Sequence, residues 1–147
     1  MAKKTKKNAL LQFLPILLVI VGIVLLLLLP AVVYKVGDNT TTYNGIKAIF
    51  GYQKDVGLGI MVTYFEFSTV LFISLILSFL CGVLPIFNNK LLNLVAGTSG
   101  VVATVFIALI TKLAIFNGTL IIGIGAILGA VLIGLSALIS LYLSYKK

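Results

Sequence analysis

Residues 9–34 read ALLQFLPILLVIVGIVLLLLLPAVVY, and this stretch decides in which solvent the chain folds. It runs 26 residues without a charged side chain. About 20 apolar residues are enough to cross a hydrocarbon core of about 30 Å. A secretory signal has an apolar region of only about 7–15 residues and ends at a small-residue cleavage site. This run is longer and ends in Leu-Pro-Ala-Val-Val-Tyr, so it reads as a retained first transmembrane helix. Pro15 lies in an early turn and Pro30 near the far end, where a missing N–H disturbs a helix least.

The same reading extends along the chain. The basic head, residues 1–8, holds Lys3, Lys4, Lys6 and Lys7. After the first span comes a polar stretch, residues 35–57, and then three more apolar runs: 58–85, 91–116 and 119–143. Each exceeds the ~20 residues that a crossing needs. The links between them are short, residues 86–90 and 117–118, and a short tail, 144–147, closes the chain. Short links force antiparallel neighbours, and backbone polar groups in lipid must be satisfied internally. The expected fold is therefore an all-α, up-down-up-down bundle of four transmembrane helices with one loop of about 20 residues between helices 1 and 2.

Composition agrees. The 147 residues are 61% hydrophobic and 10% charged, with a mean hydropathy of +1.27. A soluble domain is typically about a quarter charged. All eleven cationic side chains are lysines, against three carboxylates, for a net charge of +8. The lysines flank apolar runs and form no stripe, so the lipid bilayer is the expected partner and nucleic acid is not. The lack of Arg beside many Lys, Ile and Leu points to an AT-rich bacterial genome. With the amino end inside, Lys3, Lys4, Lys6, Lys7, Lys90, Lys146 and Lys147 lie on the cytoplasmic side. Lys35, Lys47, Lys54 and Lys112 lie on the outer side. Seven against four places both termini in the cytoplasm of a cell-membrane protein.

Within the outer loop, Gly37-Asp38-Asn39 is a turn signal between two β-favouring stretches, Val33–Val36 and Thr40–Tyr43, so a short hairpin is expected. Asn44 then reads as an N-cap, followed by one or two helical turns that Gly51 stops.

The residues that could carry chemistry are few. There is no His, one cysteine (Cys81) and only Asp38, Asp55 and Glu66 as acids. No convergent set of titratable groups emerges, so neither enzymatic activity nor a cofactor is expected. Glu66 draws the sharpest reading. With the second span starting at Leu58, it lies about 12 Å into the membrane at 1.5 Å per residue. Lys112 is then its natural partner in a candidate intramembrane charge pair. However, the 21 residues from Phe67 to Phe87 could span by themselves, and Glu66 would then sit at the interface among Tyr64, Phe65 and Phe67.

The fourth run carries a small-residue pattern: Gly123, Ala126, Ala130, Gly134 and Ala137 at spacings of three and four, with Gly125 and Gly129 on an adjacent face. Such residues let helices approach closely in lipid, either within the bundle, against another membrane protein, or in self-association. The first run has only Gly22 of this kind, so much of it should face lipid.

A long first outer loop with a short second one is similar to the layout of claudin-like proteins, but this loop lacks their Trp and Cys. Small multidrug antiporters also have four helices and a membrane carboxylate, but theirs is in the first helix, which here has no charge. The expected role is that of a non-catalytic accessory or scaffold subunit, or an envelope assembly factor. The outer loop is the expected contact surface, because loops carry function more often than spans do. The alternative is a small oligomeric transporter or channel using Glu66 and Lys112.

Overall fold

A computed structural model describes residues 2–146 of the chain, with side chains from Ala9 onward. The basic head of Lys3, Lys4, Lys6 and Lys7, and Lys147, therefore lie outside the described side chains. Four helices are long and apolar enough to cross a membrane. They are α1 (Ala2–Leu28), α3 (Thr69–Val83, extended by a 3-10 turn, Leu84–Phe87), α4 (Lys90–Ala108) and α6 (Ile124–Lys146). Between α1 and α3 lies a six-residue helix, α2 (Gly45–Phe50).

The long helices form an antiparallel ring in the order α1, α3, α4, α6, with α6 packed on both α1 and α4. One stripe of α1 is buried: Pro15, Val19, Gly22 and Leu26. Their spacing of three and four residues marks one helical face. Leu10, Phe13, Leu17, Ile20, Val24 and Leu28 are exposed on the rest. Close approach depends on glycine at the crossings. At α1–α6, a Cβ on Gly129 would stand 3.0 Å from the Gly22 carbonyl oxygen. At the α3–α4–α6 junction, a Cβ on Gly100 would overlap the Cys81 sulfur. Of the small residues singled out in the fourth run, Gly125, Ala126, Gly129, Ala130 and Ala137 are buried within α6, and Gly134 is half-buried beside Thr104. Gly123 precedes α6, and its N–H donates to the Ala31 carbonyl at 2.8 Å. These residues serve packing inside one chain. The face of α6 left exposed is large and apolar: Ile127, Val131, Leu135, Leu138 and Tyr142.

The all-α expectation is corrected at one end of the bundle. The chain is mostly helical, but the helices are shorter than the apolar runs, and the ends of all four runs become strands. The 9–34 run is helical only to Leu28, and β1 (Pro30–Val36) follows. The 58–85 run begins as a loop and a strand, β4 (Met61–Glu66), with the helix starting at Thr69. The 91–116 run leaves its helix at Ala108, makes a turn, α5 (Ile110–Leu113), and ends in β5 (Ile115–Phe116). The 119–143 run opens with β6 (Leu120–Ile122) before α6. The remaining strands are β2 (Asn39–Asn44) and β3 (Tyr52–Asp55).

They form two antiparallel sheets, β2-β1-β6 and β3-β4-β5. The first joins strands continuous with α1 and α6, and the second joins strands continuous with α3 and α4. Hydropathy cannot separate an apolar strand from an apolar helix, because both periods fit a run in which nearly every residue is hydrophobic. Val32-Val33-Tyr34 and Val62-Thr63-Tyr64-Phe65 are β-branched and aromatic, which favours the pleated surface. Pairing between different runs satisfies the strand backbone.

The expected hairpin forms: Val36 pairs with Asn39 across Gly37-Asp38, with Gly37 at φ +58°. The expected cap forms too. The Lys47 N–H donates to Asn44 Oδ1 at 3.1 Å, and Gly51, at φ +95°, ends α2.

An aromatic core joins the sheets. Phe65 stacks against Phe116 at 4.6 Å between centroids and meets Tyr43 edge-on at 4.9 Å, and Tyr34 meets Phe116 edge-on at 4.9 Å. Edge-to-face contacts of this kind add about 0.5–1.5 kcal/mol beyond burial. The cluster continues into the bundle through Leu26, Ile49, Leu71, Ile107 and Ile110, so the two sheets, which together form a β cap on this end of the bundle, share one core with the helices.

Burial first, and the neighbouring phenols of Tyr64, Tyr52 and Tyr34 next, push the Tyr43 hydroxyl above its ordinary 10.0. The folded state thus holds this proton more tightly than the unfolded chain does. Stability from this group is complete below pH 10 and falls as pH rises from there through the folded-state value. Tyr43→Phe is expected to flatten that part of the alkaline melting curve, followed by circular dichroism in detergent. An unchanged alkaline slope would place the titration elsewhere.

Candidate functional site

Glu66 and Lys112 both lie in the cap, so the site is built from its strands and turns. Glu66 is the last residue of β4 and pairs with Ile115 of β5. Strand alternation sends Phe65 inward, at 1% exposed, and leaves Glu66 exposed. Lys112 is exposed on the α5 turn, whose buried residue is Ile110. Among the described residues no Lys–carboxylate contact falls within 4.0 Å, so the expected Glu66–Lys112 pair is not formed. The cause is the strand: a helix from Leu58 would have carried Glu66 into the bundle, whereas β4 ends it at the rim, three residues before α3.

Beside Glu66 the structure opens a cleft of about 450 Å³, between the corner joining α2 to β3 and the strand β4. Its lining includes Phe50, Gln53, Thr63, Phe65, Glu66 and Phe67. The corner is tight because Gly51 lies against the β4 backbone: a Cβ there would stand 3.1 Å from the Phe65 carbonyl oxygen. Gln53 Nε2 donates to Thr63 Oγ1 at 3.1 Å across the strand pair. Phe50, Phe67 and Phe72 form a triad with centroids 5.6–6.4 Å apart. Next to the cleft, Lys47 Nζ stands 4.2 Å over the Tyr52 ring.

At the far end of the same strand pair is a feature that sequence reading missed. The β3–β4 loop is closed by its own hydrogen bonds: the Val56 N–H donates to the Ile60 carbonyl at 3.0 Å, the Ile60 N–H to the Gly57 carbonyl at 3.1 Å, and the Gly57 N–H to Asp55 Oδ1 at 2.8 Å. Leu58 sits at its apex, fully exposed at 101%, with φ +56°. A non-glycine residue in this left-handed region costs roughly 1–2 kcal/mol. Val56, Ile60 and Met61 around it are each more than half exposed. The run was readable as the start of a span because these residues are apolar. The available signal was Gly57 and Gly59 flanking Leu58, a turn pattern, followed by β-favouring residues.

In the bundle, serine hydroxyls are satisfied by helix carbonyls: Ser136 donates to the Pro15 carbonyl at 3.1 Å and Ser140 to that of Ser136 at 3.0 Å. Asn93 of α4 is fully buried, and neither polar atom of its side chain has a partner among the described residues.

Comparison with known protein families, with curated proteins and with solved structures finds no match to this chain.

Proposed function

We propose that the chain is a non-catalytic, multi-pass protein of the cell membrane, acting as an accessory or scaffold subunit, or an envelope assembly factor, through protein contacts made by its β cap. In this reading both termini are cytoplasmic and the cap is external. The lysine count along the sequence supports that orientation: Lys35, Lys47, Lys54 and Lys112 belong to the cap end, against seven for the other side, where the basic head and Lys147 join Lys90 and Lys146.

The observation that carries the proposal is the Leu58 loop. A hydrogen-bonded loop that holds an apolar side chain fully exposed, in a backbone region leucine avoids, is pre-organised for contact rather than for its own packing. Exposed apolar clusters on a rigid scaffold mark interaction sites. The transport alternative gains no support from Glu66 and Lys112, which are exposed and not paired with each other.

The test places a photoreactive residue at Val56, beside Leu58 in the same loop, of the full chain in its native membrane, followed by extraction in mild detergent. A discrete protein adduct that Leu58→Asp abolishes, at unchanged melting temperature, is the expected result. Adducts to lipid alone would overturn the partner reading.

A further inference from the structure

We propose that the cleft beside Glu66 binds a primary alkylammonium group, held by the Glu66 carboxylate and walled by the Phe50 and Phe67 rings. This site does not depend on the partner proposed for the Leu58 loop.

The charge balance comes first. Eleven cationic residues face three acidic ones, yet Glu66 makes no ion pair among the described residues. Asp55 is engaged in capping the Gly57 N–H, and Asp38 lies in the β1–β2 turn. Of the lysines on α2 and β3, Lys47 stands over Tyr52 and Lys54 lies opposite Val62 in the strand pair, and neither is ion-paired among the described residues. Glu66 is thus the carboxylate that a ligand can neutralise.

The other groups in the cleft suit a cation that also donates hydrogen bonds. Gln53 donates its amide N–H to Thr63 Oγ1, which fixes the amide and leaves its Oε1 as an acceptor. With the carboxylate this makes acceptors for the three N–H donors of a primary ammonium, whereas a trimethylammonium group has none to give. Phe50 and Phe67 supply aromatic surface, on which a cation gains about 0.5–2 kcal/mol depending on desolvation. The Lys47–Tyr52 contact is the same interaction within the cap.

Size and ligand count argue against a metal. The cleft, at about 450 Å³, is in the range of small-molecule sites, about 300–1,000 Å³. Ca²⁺ takes 6–8 oxygen ligands, and Glu66 is the single carboxylate lining this cleft. The location suits an amine near the membrane surface, because Glu66 lies three residues before α3 enters its apolar run. The ammonium can come from a phosphatidylethanolamine headgroup or from a free amine.

The experiment is native mass spectrometry of the full chain in detergent, with dioleoyl-phosphatidylethanolamine or dioleoyl-phosphatidylcholine added at equal concentration. Retention of the ethanolamine lipid at least about tenfold above the choline lipid is expected, a difference of about 1.4 kcal/mol. Glu66→Gln should abolish the preference at unchanged melting temperature. Phe50→Leu should reduce it, and Asp38→Asn should leave it intact. Soluble ethanolamine distinguishes the sources: displacement of the lipid at millimolar concentration assigns the site to amines in general, and lack of displacement assigns it to the lipid headgroup. Equal retention of the two lipids, or an unchanged preference in Glu66→Gln, would overturn the proposal.

Discussion

Gly123→Ala is expected to destabilise the protein by about 3 kcal/mol, at the upper end of the usual cost of forcing extra atoms into a packed site. Gly123 joins β6 to α6, and its N–H is bonded to the Ala31 carbonyl. A methyl group there would land on the Pro30 carbonyl oxygen, with the Pro30 and Ala31 carbonyl carbons also at 2.8 Å. Both obstacles are backbone, so neither can rotate aside as a side chain would. Relief requires β6 to part from β1, which opens the sheet that ties α1 to α6. Gly134→Ala, eleven residues along the same run, provides the contrast. Its nearest neighbour would be Thr104 Cγ2 at 3.5 Å, an ordinary contact, and alanine is favoured over glycine in a helix by about 1 kcal/mol. It is expected to be neutral or stabilising. Denaturant unfolding of both variants in the same detergent makes the comparison; equal losses would show that the close approach at Gly123 does not govern stability.

Phe65→Ala carries the second large effect, a loss of about 3–5 kcal/mol. Phe65 is 1% exposed and contacts Phe116 and Tyr43 from opposite sheets. Deleting the ring leaves a void between the sheets that rigid strands on both sides cannot close. Because the same core includes Leu71, Ile107 and Ile110 of the helical region, the loss should lower a single transition reported by both helix and aromatic signals. Phe87→Ala, at a position 65% exposed at the other end of the bundle, should change little. Separate melting of cap and helices in Phe65→Ala would refute the shared core.

Part of this architecture was legible locally. The hairpin at Gly37-Asp38 and the Asn44 cap rest on short-range chemistry, a left-handed turn residue and a side chain reaching three residues on, and both form as read. The small residues of the fourth run were legible as packing positions, since close helix approach demands small side chains wherever it occurs. Which neighbour they meet was not. Gly129 meets Gly22, and Gly100 of α4 meets Cys81 and Ala137, and those partners lie far apart in the chain.

The position of Glu66 shows where sequence reading runs out. Its depth depended on whether Leu58–Phe65 was helix or strand. Every residue type there except Gly59 and Thr63 is apolar or aromatic, so periodicity was silent. The decision came from pairing on both sides: β3, just upstream, pairs with Met61–Phe65, and Ile115-Phe116, about fifty residues downstream, pairs with Phe65-Glu66. The Leu58 loop followed from the same decision.

The sequence by itself determined that four segments are long and apolar enough to cross a membrane, because a run of about twenty apolar residues is a local, additive property of composition. Tertiary structure alone decided where each helix stops and a strand begins. A strand exists only when a partner backbone satisfies its N–H and C=O groups, and here each sheet joins an apolar run to residues supplied by distant parts of the chain.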